Sequence, residues 1–183
     1  LCRAAHSVDV LLNGTKRGTM LDQALMLDRL TARRPAHALE RDLYCDDGVY
    51  NLDLDHIFYR DWLFALPAPV LPKPGAFATL QIGAYPVVIV RSTDGMIRAF
   101  HNVCRHRGQR LCATTTGSTP NLVCPYHQWT YGLDGKLLYA RDMGDGFDPA
   151  AHGLKRSIAS IWAGWSLSAW PRCRRRSRIW PSI

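Results

Sequence analysis

The chain has 183 residues, 47% of them apolar and 10% aromatic, with a formal net charge of +8; that suffices for one packed domain plus an extension and excludes a largely disordered chain. The charge is local. Residues 1–150 hold 16 Lys and Arg against 15 Asp and Glu, whereas residues 151–183 hold seven and none. No nucleic-acid reading motif accompanies that basic end, so nucleic acid is set aside as a partner.

The six cysteines (Cys2, Cys45, Cys104, Cys112, Cys124 and Cys173) are scattered rather than spaced as a disulfide framework. The run Val10-Leu11-Leu12 is too short for a signal peptide. The expectation is a reduced, cytoplasmic protein, in which clustered Cys and His mean metal more often than disulfide. The best membrane candidate, Ile158 to Trp170, has 13 residues where a spanning helix needs roughly 20.

In chain order, residues 1–19 show no periodicity, and Met20 is a candidate start. Leu21, Leu25, Leu27 and Leu30 predict a weak helix over 21–34, stopped by Pro35. Asp46 and Asp47 offer an N-cap for a second helix. Its stripe of Tyr50, Leu54, Ile57, Phe58 and Trp62 is expected to pack on the main domain. Short strands follow: Trp62–Leu66, Ala76–Ile82, Pro86–Val90 and Ile97–Phe100, the last two joined by the turn Asp94-Gly95. Asn121–Cys124, Trp129–Tyr131 and Lys136–Tyr139 complete the set, with a turn at Asp134-Gly135. Strands and turns at this density predict a mainly β fold, an antiparallel sandwich or small barrel. No internal repeat stands out.

Two motifs carry chemistry. Cys104-Arg105-His106 is followed, after seventeen residues, by Cys124-Pro125-Tyr126-His127. Each supplies one thiolate and one imidazole. On two facing loops, the cysteines would bind one iron and the histidines the other. Replacing two anionic thiolates by neutral imidazoles lowers the negative charge of a [2Fe–2S] cluster and raises its potential. The competing reading is a structural Cys2His2 zinc site, which favours like ligands in each half; here each half is mixed. Gly108 and Gly132 are expected to relax the backbone beside the loops, and Pro125 to stiffen the second. Arg105 and Arg107 are read as offsetting cluster charge or simply as solvated. Trp129 and Tyr126 are read as shielding the site or as core. His101 is read as a strand-end histidine and Cys112 as a structural thiol.

Phe100-His101-Asn102-Val103-Cys104-Arg105-His106-Arg107-Gly108 and Cys124-Pro125-Tyr126-His127-Gln128-Trp129-Thr130-Tyr131 resemble the cluster loops of Rieske non-haem iron oxygenases. More narrowly, they resemble the alpha subunits of ring-hydroxylating terminal oxygenases. Respiratory Rieske proteins add a disulfide cysteine next to each ligand pair, whereas here Arg105 and Pro125 occupy places where no such bridge could form. Gln128 replaces the usual glycine. The likeness extends over about residues 35–160 and includes Ile57-Phe58-Tyr59-Arg60-Asp61-Trp62. Arg141-Asp142-Met143, Gly146-Phe147-Asp148 and His152-Gly153-Leu154 are similar to members acting on quaternary amines.

The resemblance implies an antiparallel Rieske-type β-sandwich with an N-terminal helical extension and an irregular C-terminal tail. It divides the chain into an N-terminal extension (1–34), a helical lead-in (35–61), a Rieske [2Fe–2S] domain (62–159) and an atypical tail (160–183). It implies that Cys104, His106, Cys124 and His127 hold the cluster, and that a NAD(P)H-dependent reductase or ferredoxin supplies electrons. A full-length form would add a mononuclear Fe(II) domain and a homotrimer. That iron needs two His and a carboxylate. After His127 the only histidine is His152, and Asp148 is the last acid. A truncated or frameshifted reading frame is therefore expected, with no catalytic residue of its own. The alternatives are a stand-alone Rieske ferredoxin and a non-redox zinc module.

Overall fold

The structure, a computed structural model, describes residues 22–162 and 165–169, and side chains as far as Ser157. Met20 and the arginines from Arg172 onward lie outside the described residues. The chain divides into two units, one ending at Ile57 and one beginning at Phe58.

The first unit is helical. Helix α1 (Gln23–Thr31) starts where the Asp22 carboxylate accepts the Leu25 N–H at 2.8 Å, a side-chain cap of the ordinary kind. Two short helices follow, α2 (Asp42–Cys45) and α3 (Asp47–Asp53), the latter capped by Asp46 through the Gly48 N–H. Leu43 and Val49 form a small core with Met26, Leu30 and Leu39. Arg29 pairs with Glu40 and reaches Asp42.

The predicted stripe on the second helix needs correction. After Asp53 the helix widens into a π turn, Leu54–Phe58, whose extra residue per turn shifts the helical phase. Leu54 is buried, but Ile57, Phe58 and Trp62 stand exposed.

The second unit is an antiparallel two-sheet structure with no closed barrel. Seven strands, β1 (Leu63–Pro67), β2 (Ala76–Ile82), β3 (Tyr85–Arg91), β4 (Ile97–His101), β5 (Thr116–Ser118), β9 (Arg156–Trp162) and β10 (Trp165–Ala169), form one sheet. Their order is β1-β10-β9-β4-β3-β2-β5. The smaller sheet is β6 (Leu122–Val123), β7 (Thr130–Tyr131) and β8 (Leu137–Tyr139), in that order.

Alternation along β2–β4 sends side chains to two cores. Ala76, Ala78, Val87, Ile89, Ile97 and Ala99 pack with Leu66 and Leu71 on one face. Phe77, Val88, Val90 and Phe100 face the other way, against Leu122, Trp129, Tyr131 and Leu137 of the small sheet. Burial on both faces explains why Pro86–Val90 reads as an unbroken apolar run rather than an alternating one. The second core seats the candidate site.

Three strands escaped the sequence reading. Strand β5 is polar and exposed, and Gly117 suits it because a Cβ there would meet the Phe77 ring at 2.6 Å. Strands β9 and β10 continue the sheet to Ala169, so the boundary drawn at 159/160 falls inside β9. Composition hides them: β9 is defined by its partner β4, through Ala99 opposite Ser157 and Phe100 opposite Arg156.

Candidate functional site

The two motifs fold into twin loops. In the first, the Cys104 N–H donates to the Gln109 carbonyl at 2.8 Å and the Gly108 N–H to the Cys104 carbonyl at 3.1 Å. In the second, the Cys124 N–H donates to the Trp129 carbonyl at 2.9 Å and the Gln128 N–H to the Cys124 carbonyl at 3.0 Å. The loops close on equivalent cross-strand pairs, Val103 with Arg110 and Val123 with Thr130. The tight corner falls on Gly108 (φ +74°) and on Gln128 (φ +58°). The backbone positions that close the loops correspond at a constant offset of twenty residues, whereas His106 and His127 are offset by twenty-one. This duplication corrects the absence of an internal repeat; its one sequence signal is Val-Cys at 103–104 and again at 123–124.

The loops bring like residues together. Cys104 and Cys124 are both buried, and their thiols lie within hydrogen-bonding reach of each other. The His106 and His127 rings sit side by side, centroids 4.7 Å apart and planes at 68°. Burial pushes the Cys124 thiol up, while N–H groups of Tyr126 and His127 donate to its sulfur and act the other way. Desolvation holds the His106 imidazole below its ordinary value, aided by His127 and the Arg107 guanidinium.

Each histidine has an aromatic backing. Trp129 lies flat on His106 at 4.8 Å and 8°. Tyr126 tilts over His127 at 3.7 Å. Phe147 and His152 meet the Trp129 ring edge-on at 5.5 and 6.0 Å. Among the described residues, two buried polar side-chain atoms have no hydrogen-bond partner, His127 Nδ1 and Trp129 Nε1. A buried ring nitrogen without a partner is costly and fits a ligand atom.

Two contributors were not recognised from sequence. Tyr131 was read only as strand; its hydroxyl accepts the Arg105 N–H at 3.0 Å and lies 3.3 Å from Cys104 Sγ. The hydroxyl has one proton, so accepting from Arg105 turns that proton toward the sulfur. Burial, then the sulfur, raises the Tyr131 pKa. Asn102 is buried, and its amide donates to the Cys112 carbonyl at 2.7 Å and accepts the Cys112 N–H at 2.8 Å. It closes the first loop at its base. The alternation Trp129-Thr130-Tyr131 leading into β7, which leaves Trp129 and Tyr131 buried, was the available signal for Tyr131.

His101 ends β4 edge-on to Tyr85; burial, then Lys155, lowers its pKa. The Cys112 thiol is pushed up to about 11 by burial, which makes it unreactive. Gly132 has no left-handed backbone; there a Cβ would collide with Asp134 Oδ1 at 2.7 Å. Among the described residues, no three His, Cys, Asp or Glu converge as they would around a single metal ion. Among the described residues, no helix is long and apolar enough to cross a membrane.

The Rieske [2Fe–2S] domain family matches residues 61–154. The glycine betaine monooxygenase oxygenase subunit of Chromohalobacter salexigens is 50% identical over 138 residues, 75% of this chain and 31% of that one. The biphenyl dioxygenase alpha subunit of Paraburkholderia xenovorans is 35% identical over 146 residues, 72% of this chain and 32% of that one. The crystal structure of the apo quaternary ammonium Rieske monooxygenase CntA superimposes with a TM-score of 0.67 at 28% identity, over 74% of this chain and 40% of that one. The chain thus spans about a third of the length of the curated relatives it matches.

Proposed function

Because this chain belongs to the Rieske [2Fe–2S] domain family, we propose that Cys104, His106, Cys124 and His127 hold its cluster and that the domain carries single electrons within a terminal-oxygenase system. The observation that supports this reading is the pairing of Cys104 with Cys124 and of His106 with His127 on twin loops. When bound, the cluster supplies reversible one-electron chemistry at a potential raised by its imidazole ligands.

The chain's own residues prepare the site. Burial of both cysteines excludes water from the thiolate side. The N–H groups of Tyr126 and His127 and the Tyr131 hydroxyl direct positive dipoles at the sulfurs, which offsets negative charge there. The histidines are half-buried, so they form the edge through which electrons enter and leave. Trp129 fixes the plane of His106 and closes that side to water.

In the longer protein this reading places the domain upstream of a mononuclear Fe(II) centre, in a trimeric assembly fed by a reductase or ferredoxin. The greater identity to the glycine betaine enzyme than to the biphenyl enzyme, 50% against 35%, favours a quaternary amine as substrate class. A stand-alone ferredoxin is the second reading; the helical unit preceding the sandwich favours the first. Reconstitution with iron and sulfide, followed by metal analysis and EPR, tests the ligand set. Two irons and two sulfides per chain and a reduced signal of low average g-value are expected, lost in Cys104→Ser and His127→Ala. One bound zinc and no EPR signal would refute the reading.

A further inference from the structure

We propose that the strap 144–154, through Phe147 and His152, sets the ring plane of His106 and so makes the two histidines of the site unequal. Phe147 and His152 are positioning residues that act through Trp129. The proposal rests on the cluster reading above and adds what orients one of its four residues.

The symmetry of the twin loops is broken at one position. The carbonyl that accepts the cysteine N–H belongs to Gln109 in the first loop and to Trp129 in the second. Gln109 is exposed. Trp129 is 2% exposed and lies flat on His106, the planes 8° apart. His127 is met instead by Tyr126, whose ring is 57% exposed. His106 thus has a buried ring behind it and His127 a surface ring.

Trp129 in turn owes its orientation to packing. Among the described residues its indole N–H has no hydrogen-bond partner, so no directional bond holds the ring. Phe147 and His152 stand against it at 5.5 and 6.0 Å, with planes at 67° and 78°, and against each other at 4.5 Å. Edge-on contact at such separations is a favoured aromatic geometry, and rotation of the indole would break both contacts.

The strap is braced for this task. Pro149 opens a 3₁₀ turn, Pro149–His152, capped by the Asp148 carboxylate, which accepts the Ala150 N–H at 2.9 Å. His152 Nδ1 lies 2.8 Å from the Asp148 carbonyl. A carbonyl only accepts, so Nδ1 carries the proton and donates, which fixes the ring on its turn. Leu154 is buried, and its N–H donates to the Gly135 carbonyl at 2.8 Å, pinning the strap to the turn between β7 and β8. Gly146-Phe147-Asp148 and His152-Gly153-Leu154, singled out in the sequence, thereby gain a structural task that lies outside both cluster loops.

ENDOR spectroscopy of the reduced, cluster-loaded protein with isotope-labelled histidine nitrogens tests the proposal, because the coupling of each imidazole to the cluster spin depends on ring orientation. Wild type should show two sharp couplings. In His152→Ala and in Phe147→Leu one coupling should shift and broaden while the other stays as in wild type. Trp129→Phe should move the same coupling, which identifies it as that of His106. His152→Phe, which keeps a ring against Trp129, should restore the wild-type spectrum. His152→Gln, which keeps polar atoms and loses the ring, should not. Phe147→Leu and His152→Phe retain apolar volume beside Trp129, so the test does not hang on a variant that fails to fold.

Unchanged couplings in His152→Ala and Phe147→Leu would make the strap a cover with no hold on His106, and would overturn the proposal. Equal broadening of both couplings would overturn it in favour of general loosening. Rescue by His152→Gln and not by His152→Phe would overturn it in favour of a polar contact. A wild-type protein that takes up no cluster would instead sink the ligand assignment, and this proposal with it; the absorption spectrum separates that failure from the others.

Discussion

Gly108 and Gln128 occupy the same corner of two duplicated loops, at φ +74° and +58°. Glycine adopts that conformation without penalty, whereas a side chain costs about 1–2 kcal/mol. Gln128→Gly should therefore stabilise the protein by about 1 kcal/mol, once the greater freedom of glycine in the unfolded chain is subtracted. Gly108→Ala should destabilise by about 1 kcal/mol from backbone strain alone, because a Cβ there meets nothing within 4 Å. Urea midpoints at constant m-value read both effects. A neutral Gly108→Ala would contradict the left-handed corner.

Tyr131 points its only hydroxyl proton at Cys104 Sγ. Hydrogen bonds to cluster sulfurs stabilise the more negative, reduced state. Tyr131→Phe should lower the reduction potential of the loaded protein by roughly 40 mV, the equivalent of about 1 kcal/mol for one electron. Protein-film voltammetry measures this directly. An unchanged potential would mean that the hydroxyl does not donate to the sulfur.

Asn102 satisfies both backbone groups of Cys112 in a buried setting. Asn102→Ala leaves a buried donor and a buried acceptor unpaired, at a cost of about 2–4 kcal/mol. Exchange at the Gly108 amide should accelerate while that at Gln128 in the twin loop stays slow. Equal acceleration in both loops would indicate global loosening instead of a local clamp.

Asp94 pairs with Arg98 across the turn between β3 and β4. The Arg98 hydrogen bonds, then the Met96 N–H, hold its pKa at about 2, below an unfolded value of about 3.9. A depressed carboxylate pKa gives stability that is present above the unfolded value and is lost as pH falls through the folded one. Wild type should therefore lose its advantage over Asp94→Asn between about pH 4 and about pH 2. The pair is solvent-exposed, so the difference is small. Thermal melts of both proteins across that window test the sign; an advantage that grows toward pH 2 would refute it.

The candidate site residues were legible in sequence because metal-ligand chemistry is local. C-x-H and C-x-x-H declare their residue types within three or four positions, and the turn residues Asp94-Gly95 and Asp134-Gly135 mark hairpins by their own backbone needs. The strands β2 and β3 were legible for the same reason, since burial leaves an apolar record in consecutive residues. The π turn at Leu54–Phe58 was not, because the sequence there satisfies a helical period as well as a widened one.

Only the tertiary structure decided which cysteine and which histidine meet. Sequence alone determined that two Cys and two His lie in two turn-rich stretches and that residues 95–133 contain no acid. That the loops are copies, that Tyr131 reaches back to Cys104 across 27 residues, and that β9 completes the sheet beside β4 all depend on pairing between distant segments. Hydrogen bonds across such separations leave no periodic trace in either partner. Each strand edge is read by its neighbour, and the neighbour is chosen by the fold.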